Sequence, residues 1–502
     1  MTAPRKVSVA ILSWNGRRHL ETCLDALAAQ EDPGVEWEVL VLDNGSTDDT
    51  GAWLRARYPQ GPPAGRTGAP PLPPVRWLES PVNLGFCAGN NRLVAAASGD
   101  AVALLNNDTR PGRGWLAALV GALAAAPADV AAISGKIVDW NGERLDFGRG
   151  VMTFDGHAFQ LDFRRPLATA RVPARGEELP FACGGNMLIR RASFLAAGGF
   201  DESYFAYLED VDLGWRLWSG GERVTFEPEA VVYHRSNATS DLLGLWNRGF
   251  LFERNAFLTA YKNYEPGLWE KVMPALLLTF LSRTQAMLAD NNPGGGSLRI
   301  DPYAGWIANT AGPAAGNEVA AGGEVAAGGA PGSQAGGGRA TALDLSLAGL
   351  RSKWREHGAR DFCRRAVARL RAELRAALAA RGDGGGRGRA GHAAAPGAPV
   401  LTDERTVAQL RALSWLLSHL ESAAAAREAV QRRRRRGDRE IFARFPLHLV
   451  PTYPGDEVLF ASPGFSAWLP ADLPLVRRTL NDLMELDPPE APRPASTIEP
   501  PP

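Results

Sequence analysis

Short apolar runs of strand length alternate with helical hydrophobic patterns over the first hundred residues. Four such runs occupy residues 7–12, 39–42, 75–78 and 101–105. Between the first two, Leu20, Cys23, Leu24 and Leu27 recur at the spacing of one helix face. Strands that alternate with helices predict βαβ units and a mostly parallel sheet. The pattern Ser46-x-x-Asp49 predicts an acidic variant of the capping box at the start of a second helix.

The pattern changes further along the chain. From about residue 133 to 234 the alternation loosens, and acidic, aromatic and glycine-rich stretches suit a substrate-binding half beside a nucleotide-binding half. Residues 242–288 have a helical composition, and their apolar stretch 272–281 predicts either a core helix or a helix lying in a membrane interface. The Gly- and Ala-rich stretch that follows has almost no charge and predicts a flexible linker.

These patterns predict the organisation of the whole chain. We expect an α/β domain over residues 1–260, a helical extension over 261–290, the flexible linker over 291–344, a mainly helical C-terminal region over 345–486 and a disordered tail over 487–502. The Pro- and Gly-rich residues 61–74 predict a surface insertion between a helix and a strand.

Polar residues follow each apolar run. The loops begin with Ser13-Trp14-Asn15, Asp43-Asn44-Gly45, Asn83-Leu84-Gly85 and Asn106-Asn107-Asp108. Because the carboxyl ends of parallel strands lie side by side, these residues are expected to converge on one nucleotide-binding crevice. Glu209-Asp210-x-Asp212 and His234 form a second cluster that can face the first. Simpler structural explanations exist for several of these residues. Asp43 also fits a turn residue, the three acids fit residues at a helix start, and His234 fits a core residue after a strand.

Charge and cysteine content narrow the class of protein. Basic and acidic residues are equal at 55 each, but the basic ones are in surplus from residue 351 to 440, which places a basic arm behind an acidic body. The four cysteines show no C-x-x-C spacing, so neither a disulfide framework nor a zinc site is expected. No signal sequence or apolar run of spanning length is evident, and a cytoplasmic location is expected.

Eight motifs in order resemble glycosyltransferase family 2, and most closely its rhamnosyltransferase-like branch. They are residues 9–15 (VAILSWN), 42–48 (LDNGSTD), 83–91 (NLGFCAGNN), 105–109 (LNNDT), 183–186 (CGGN), 198–202 (GGFDE), 209–212 (EDVD) and 233–234 (YH). The resemblance covers the first 260 or so residues. It implies an α/β fold of GT-A type, a Rossmann-like nucleotide-diphospho-sugar transferase domain, followed here by a helical C-terminal region.

The resemblance also implies roles for individual residues. Asp43 would hold the nucleobase, and the other residues expected to bind the nucleotide sugar are Ser13, Trp14, Asn15, Asn83, Gly85, Asn90, Asn107, Gly184 and Gly185. Asn83, Gly85, Gly89 and Asn90 are expected to form a loop that opens a helix and approaches a phosphate or ribose. Asn106 replaces the first acid of the family's D-x-D motif. The implied metal ligands are therefore Asp108 and His234, for a divalent cation, Mn²⁺ or Mg²⁺.

In the resembling family the acceptor hydroxyl attacks with inversion and must lose its proton. Asp210 is the expected base and Glu209 is expected to bind the acceptor. Tyr204, Phe205, Tyr207, Trp215 and Trp218 are expected to offer stacking faces for sugar rings. Without a Q-x-x-R-W motif or spanning helices, transfer of a single sugar from a nucleoside-diphosphate sugar to a glycan or lipid-linked acceptor is expected, in cell-envelope polysaccharide synthesis.

Two other functions stay open at this stage. A sugar-phosphate nucleotidyltransferase would need a glycine-rich, basic loop after the first strand, and Ser13-Trp14-Asn15-Gly16 is not one. A catalytically weak glycan-binding or membrane scaffold is argued only by Asn106.

The run Arg432–Arg436 predicts either a solvated helix end or contact with anionic lipid on the inner face of the plasma membrane. No nucleic-acid partner is expected, because no such binding motif accompanies the run.

Overall fold

A computed structural model describes residues 3–59, 74–235, 245–289, 404–453 and 455–484. The first elements are β1 (Lys6–Ser13), α1 (Arg17–Ala28), β2 (Glu36–Asn44), α2 (Thr50–Arg57), β3 (Val75–Ser80), α3 (Gly85–Ala96), β4 (Ala101–Asn106), β5 (Thr109–Pro111) and α4 (Trp115–Ala125). They are followed by β6 (Val130–Asp139), β7 (Leu145–Phe147), β8 (Arg149–Met152), β9 (Ala158–Leu161), β10 (Asn186–Arg190), α5 (Arg191–Ala197), a 3-10 turn (Glu202–Tyr204), α6 (Glu209–Ser219) and β11 (Arg223–His234).

Helices predominate in the remaining part of the described chain. They are α7 (Leu245–Asn263), α8 (Pro266–Ala289), α9 (Glu404–Ser418), α10 (Leu420–Arg433), α11 (Asp438–Arg444), α12 (Asp456–Ala461), α13 (Pro463–Ser466) and α14 (Leu480–Leu483), with short strands β12 (Leu447–Leu449) and β13 (Leu475–Arg477). The predicted linker, the insertion at 61–74, residues 345–403 of the predicted C-terminal region and the tail 487–502 lie outside the described residues, apart from Pro74.

Nine strands of the described residues form one sheet in the order β3-β2-β1-β4-β10-β6-β11-β5, with β7 beside β6. The strands β1 to β4 pair in parallel, as predicted. β10 runs antiparallel to both β4 and β6, and β5 runs antiparallel to β11. The α/β class is therefore confirmed. β11 pairs with β6 in parallel, so β6 and β11 run in the same direction as β1 to β4, and only β10, β5 and β7 run in the opposite direction among the described strands of this sheet.

The sheet is covered on both faces because its strands alternate between two cores. Val9 and Ile11 of β1 pack in the core that contains the buried residues of α1 and α4. Ala10 packs in the other core, with residues from α3, α6, α7 and α8. Such burial on both faces is why the strands read as nearly continuous apolar runs.

The predicted capping box at the second helix is wrong. Helix α2 begins at Thr50 with Asp49 as the N-cap residue, whose side chain makes no capping hydrogen bond, and the Asp48 carboxylate accepts from the backbone N–H of Thr50 at 3.0 Å. The Ser46 hydroxyl instead accepts from the backbone N–H of Asn15, 2.9 Å away. Ser46 therefore connects two strand-end loops and does not begin the helix.

The apolar stretch 272–281 is part of a core helix. Val272, Ala275 and Leu276 of α8 are buried, with exposed fractions of 3% or less, whereas Leu281 at its end is exposed. In the part of the chain that the structure describes, no helix is long and apolar enough to cross a membrane. The alternative of a helix lying in a membrane interface is wrong, because the apolar face of α8 is already covered by protein. The boundary predicted at residue 260 falls inside α7.

The described C-terminal residues pack onto the same compact unit as the sheet. Arg434 forms an ion pair of 2.8 Å with the buried Asp438. The Arg436 guanidinium donates to the backbone carbonyls of Trp218 and Glu222, at 3.2 and 3.1 Å. Arg436 thus attaches the C-terminal region to the end of α6, and Arg434 also donates to the carbonyl of Asn263 at the end of α7, so these two members of the run 432–436 are not part of a solvated helix end.

Candidate active site

The loops that follow β1, β2 and β4 are hydrogen-bonded to one another. The Asn107 side-chain amide donates to the Ser13 hydroxyl at 3.0 Å. Asn15 adopts a left-handed backbone with φ of 49°. Its side-chain oxygen accepts from the backbone N–H of Thr47 at 2.7 Å. The predicted convergence of these loops is therefore present in the structure, with Trp14 half-buried beside them.

A third loop joins this edge through two asparagines. The Asn44 amide donates to the Asn83 side-chain oxygen at 3.0 Å, and that oxygen also accepts from the Gly85 backbone at 2.8 Å. Gly85 has φ of 79°, and a Cβ there would lie 2.5 Å from the Phe205 ring. Asn83 and Gly85 thus shape the start of α3, and the glycine also lets Phe205 approach.

Two of the predicted nucleotide-binding residues have additional structural roles. Asp43 is 7% exposed, and one of its carboxylate oxygens accepts from the backbone N–H of Ser46 at 3.1 Å, as in the turn alternative. Asn90 is 2% exposed within α3, and its amide donates to the carbonyl of Phe86 at 2.9 Å. The prediction of Gly89 and Asn90 as loop residues is wrong because α3 already begins at Gly85.

The implied metal ligands lie next to each other. Nε2 of His234 lies 3.4 Å from a carboxylate oxygen of Asp108. Its Nδ1 lies 2.7 Å from the carboxylate of Asp146, a residue of β7 that no sequence motif indicated. A carboxylate on the far nitrogen fixes the tautomer and orientation of a metal-binding imidazole. The core-residue alternative for His234 is disfavoured, since the ring is held between two acids.

The charge of His234 follows from those two acids. Burial opposes the charged imidazolium, but the carboxylates of Asp108 and Asp146 outweigh it and raise the pKa of His234 to about 10. A cation that binds Nε2 must therefore displace a proton. Among the described residues, no group of three or more His, Cys, Asp or Glu side chains could hold a metal ion. Two protein ligands fit a cation whose remaining ligands are substrate phosphates and water.

Arginines on an aromatic cluster border this pair. The Arg235 backbone N–H donates to the Asp108 carbonyl at 3.0 Å, and the Arg235 guanidinium lies 3.9 Å from the Trp140 ring centre. The Arg110 guanidinium lies 4.0 Å from the ring centre of Tyr233 and 5.3 Å from that of Trp140. Sequence reasoning missed this cluster, although an arginine directly after His234 was a signal for an anion nearby.

The glycine pair connects the metal side of the site to the acids. The Gly184 N–H donates to the Asp210 carboxylate at 3.1 Å. The Gly185 carbonyl accepts from the Asn106 backbone at 3.3 Å, and a Cβ on Gly185 would lie 2.9 Å from the Asn106 amide. A Cβ on Gly184 would lie 3.2 Å from the Phe86 ring, so neighbouring side chains leave little room for a larger residue at either position.

Glu209 and Asp210 open α6 in a site largely enclosed by protein. Burial, and then the charge of Asp210, raise the pKa of Glu209 well above its ordinary value. One oxygen of Glu209 has no hydrogen-bond partner, and the residue is 7% exposed. Burial also raises the pKa of Asp210, although the N–H groups of Gly184 and Val211 stabilise its charged form. Repulsion between these two neighbouring buried carboxylates favours a proton on one of them.

Neighbouring residues expected near substrate belong to the core instead. Tyr204, Phe205, Trp215 and Trp218 are buried, so the expectation of stacking faces is wrong for these four, and Tyr207 alone of the five predicted aromatics is half-buried. Asp212 is fully buried in ion pairs with Arg216 and Lys262, at 2.8 and 3.0 Å. All three acids lie in the first turn of α6, as the helix-start alternative predicts, and the ion pairs of Asp212 give it a structural role that Glu209 and Asp210 do not share.

Comparisons with known proteins agree with this geometry. Residues 8–196 match the family model described as Glycosyl transferase family 2. An N-acetylglucosaminyl-diphospho-decaprenol L-rhamnosyltransferase of Mycobacterium tuberculosis is 32% identical over 252 residues, covering 46% of this chain and 76% of that protein. A pre-mycofactocin glycosyltransferase of the same species is 33% identical over 160 residues, 32% of each chain.

A solved structure is also similar over a wide span. A mannosyltransferase from Pyrobaculum calidifontis, in complex with GDP-Man and Mn²⁺, is 18% identical and has a TM-score of 0.36. The similarity covers 62% of this chain and 85% of that chain. A likeness of this size carries no argument about function.

Proposed function

Because the chain belongs to glycosyl transferase family 2, we propose that it moves a single sugar, with inversion, from a nucleoside-diphosphate sugar to a hydroxyl of a glycan or lipid-linked acceptor in cell-envelope polysaccharide synthesis. The observation that carries the proposal is the glycine pair. Gly184 contacts Asp210, and Gly185 contacts Asn106, in the loop that leads to Asp108. The glycine pair therefore lies between the proposed base, Asp210, and the strand end that leads to the proposed metal ligand, Asp108.

The donor and acceptor classes come from the relatives. The Mycobacterium tuberculosis protein is by name a rhamnosyltransferase acting on a lipid-linked diphospho sugar. We propose a deoxyhexose such as L-rhamnose as the donor sugar and a polyprenyl-diphosphate glycan as the acceptor. The nucleobase would lie against Asp43 and the hydrogen-bonded loops of Ser13, Asn15 and Asn107, since these form the strand-end edge of the sheet.

Asp210 is the proposed general base. The acceptor O–H proton passes to the Asp210 carboxylate as the acceptor oxygen bonds to the anomeric carbon and the bond to the nucleoside diphosphate breaks. A raised pKa makes the carboxylate a stronger base than a solvated one. Glu209, whose pKa is raised well above its ordinary value by burial, is proposed to bind the acceptor hydroxyl beside Asp210.

Asp108 and His234 are the proposed ligands of a divalent cation, Mn²⁺ or Mg²⁺, which when bound would neutralise charge on the leaving diphosphate. Asp146 holds the His234 ring so that Nε2 faces the site. Arg235 lies beside them on Trp140 and adds a positive charge for the same diphosphate. The cation and Arg235 are thus proposed to neutralise charge on the diphosphate, and Asp210 is proposed to remove the proton of the acceptor.

A donor panel tests the function. Purified full-length protein is incubated with Mn²⁺ and a set of nucleotide sugars, and nucleoside diphosphate release is measured with and without a lipid-linked diphospho-sugar acceptor. We expect acceptor-dependent release from one donor, and a product whose anomeric configuration, read by NMR, is opposite to that of the donor. Release of pyrophosphate from a sugar phosphate and a nucleoside triphosphate would instead indicate a nucleotidyltransferase, and no turnover with any donor would favour the scaffold.

We also propose peripheral contact with an anionic membrane face. Arg432, Arg433 and Arg435 are exposed, unlike Arg434 and Arg436, whose guanidinium groups contact α7 and α6. Each basic residue near such a surface contributes about 1 kcal/mol, and salt screens the attraction. Co-sedimentation with anionic vesicles is expected to fall as salt rises and to fall further when the three arginines are changed to glutamine. Equal binding of both proteins, or binding to neutral vesicles, would contradict this role.

A further inference from the structure

A strained turn precedes the two acids. Phe205, Tyr207 and Leu208 have φ of 64°, 71° and 64°, a left-handed region that non-glycine residues seldom adopt. Helix α6 begins at the next residue, Glu209, so the turn sets the direction from which both acids leave the backbone. Three such residues in a stretch of four persist only where the surroundings impose the conformation.

One side chain from α7 binds most of this turn. The Asn255 amide nitrogen lies 3.1 Å from the carbonyl oxygen of Tyr204, 2.8 Å from that of Ala206 and 2.7 Å from that of Tyr207. Asn255 is fully buried, so water cannot replace these bonds. An amide group has two N–H donors, and the three carbonyls share them. A donor at this position is therefore needed to satisfy the turn.

Arg254, the preceding residue, fixes the asparagine. Its Nε donates to the Asn255 side-chain oxygen at 2.9 Å, and its Nη2 donates to the Tyr204 carbonyl at 2.7 Å. The guanidinium lies 4.5 Å from the ring centre of Trp415, which belongs to α9. A desolvated cation over an indole is a favourable contact. The C-terminal region thus covers the residues that hold the turn.

Helix α9 also packs on the turn directly. Phe205 lies in a buried cluster with Phe250, Leu251, Ala408 and Ala412, and Tyr207 and Trp415 pack against it. The carbonyl of Phe205 in turn accepts from the backbone N–H of Phe86 at 2.7 Å, at the start of α3. The turn therefore lies between the nucleotide side of the sheet and a helix far outside the matched residues 8–196.

We propose that Asn255, Arg254 and Trp415 form a brace that holds the turn 205–208 in its left-handed conformation and so positions Glu209 and Asp210 for proton transfer. The three residues of the brace make their contacts with the turn and with each other, and they are positioning residues. The inference rests on the proposed function, because it takes Asp210 as the base. It assigns the C-terminal region a part in catalysis that is independent of membranes.

The test compares brace variants of the full chain with a matched core variant. Asn255→Ala and Trp415→Ala remove brace contacts, Trp415→Phe retains a ring, and Phe465→Ala opens a C-terminal core site formed with Phe154 and Phe460. The measurements are kcat and donor KM, nucleoside diphosphate binding by calorimetry, the melting temperature, and hydrogen exchange of the peptide 203–212.

Displacement of a catalytic group by about 1 Å costs on the order of 100-fold, so we expect that loss of kcat in Asn255→Ala. Donor KM should stay within about threefold, since uniform binding is not removed. Trp415→Ala should lose on the order of tenfold, and Trp415→Phe should recover most of it. Exchange of peptide 203–212 should rise in the brace variants only, while Phe465→Ala lowers the melting temperature and keeps kcat.

The outcomes separate this inference from the function on which it rests. A kcat that follows the melting temperature across all variants, Phe465→Ala included, would overturn the brace. An unchanged exchange of peptide 203–212 in both Asn255→Ala and Trp415→Ala would also overturn it. Asp210→Asn with wild-type turnover would instead remove the proposed base, whatever the exchange shows. If Asn255→Ala does not fold, the Trp415 pair decides the question.

Discussion

The two sides of the site are built in different ways. On the nucleotide side, the loops after β1, β2 and β4 are held by side chains within the loops themselves, such as Asn15 on Thr47 and Asn107 on Ser13. On the acid side, the turn before Glu209 is held by Asn255 and by a helix that begins at Glu404. The first half is assembled from neighbouring strand ends, and the second depends on distant parts of the chain.

Because of this difference, substitutions far from the site are expected to affect proton transfer more than nucleotide binding. A change in the C-terminal helices should leave nucleotide binding nearly intact, because none of the hydrogen bonds that join the strand-end loops comes from that region in the described residues. The same change should affect the proton-transfer step, because α9 packs on the turn before the acids. Binding and chemistry are therefore expected to respond to different sets of substitutions.

Asp210→Asn should have the largest effect. Removal of a positioned base costs about 10² to 10⁴ in rate, and the amide retains the shape of the side chain. We expect kcat to fall by that factor while the Kd for nucleoside diphosphate, measured by calorimetry, is unchanged. Asp48→Asn, an exposed carboxylate on the nucleotide side, is the control. Turnover within a few-fold of wild type in Asp210→Asn would break the assignment of chemistry to the acid side.

A buried ionic network next to the acid side predicts a pH dependence of stability. His157 lies 3.2 Å from Asp155 and 3.3 Å from Glu253, and Arg283 joins Asp155 to Asp456 of the C-terminal region. Burial opposes the charge on His157, but the two acids outweigh it and raise the pKa of His157 to about 9.

The sign of that dependence follows from the raised pKa. The stabilisation from charged His157 is complete below its unfolded pKa of about 6.5 and is lost as pH rises to about 9. We expect the free energy of unfolding to fall by on the order of 2 kcal/mol over this window. Denaturant titrations of wild type and His157→Gln measure it, and the difference between the two proteins should shrink with rising pH. A constant difference would show that His157 is not charged in the folded protein.

Asp146→Asn should weaken metal binding without removing a ligand. Loss of a carboxylate behind a metal-binding imidazole costs about 10- to 100-fold in affinity. Binding of Mn²⁺ in the presence of nucleoside diphosphate, followed by electron paramagnetic resonance, should weaken by that factor, and His234→Ala should weaken it further. The control is Asp139→Asn, whose carboxylate accepts from the backbone of Glu143 in the neighbouring hairpin. Equal Mn²⁺ affinity of Asp146→Asn and wild type would remove Asp146 from this role.

Asn15→Gly should have the smallest effect and test the nucleotide side alone. Glycine keeps the left-handed backbone but loses the bond to Thr47, and a hydrogen bond contributes about 1 kcal/mol, so affinity for nucleoside diphosphate should fall by roughly fivefold. Turnover at saturating donor should be unchanged. A fall in kcat without a change in affinity would contradict the division between binding and chemistry.

Much of the nucleotide side could be predicted from the sequence. The strands and their polar loops follow from local periodicity, and the bounds of β1 to β4 differ from the predicted runs by a few residues. The errors there were local: Ser46 bonds a neighbouring loop instead of capping α2, and Asn90 lies one turn inside α3. Both depend on the residue at which a helix begins, which the hydrophobic pattern does not fix.

The acids and the proposed metal ligands could be predicted only in part. Glu209, Asp210 and His234 were found through the family resemblance, but no local pattern distinguished buried aromatic residues such as Trp215 from residues that face a ligand. Asp146 was missed because a single acid in a short strand carries no signal of its own. The roles of Arg434 and Arg436 were missed because a run of like charges does not reveal which members have partners.

The α/β class, the family and the strand-end loops could be recognised in the sequence, because periodicity and loop chemistry depend on residues close together in the chain. The antiparallel position of β10, the partner of His234 and the packing of α9 on the turn before Glu209 became visible only in the folded protein. Each of these is a contact between residues distant in sequence. Such contacts are selected by burial and hydrogen-bond satisfaction over the whole fold, and no local pattern encodes them.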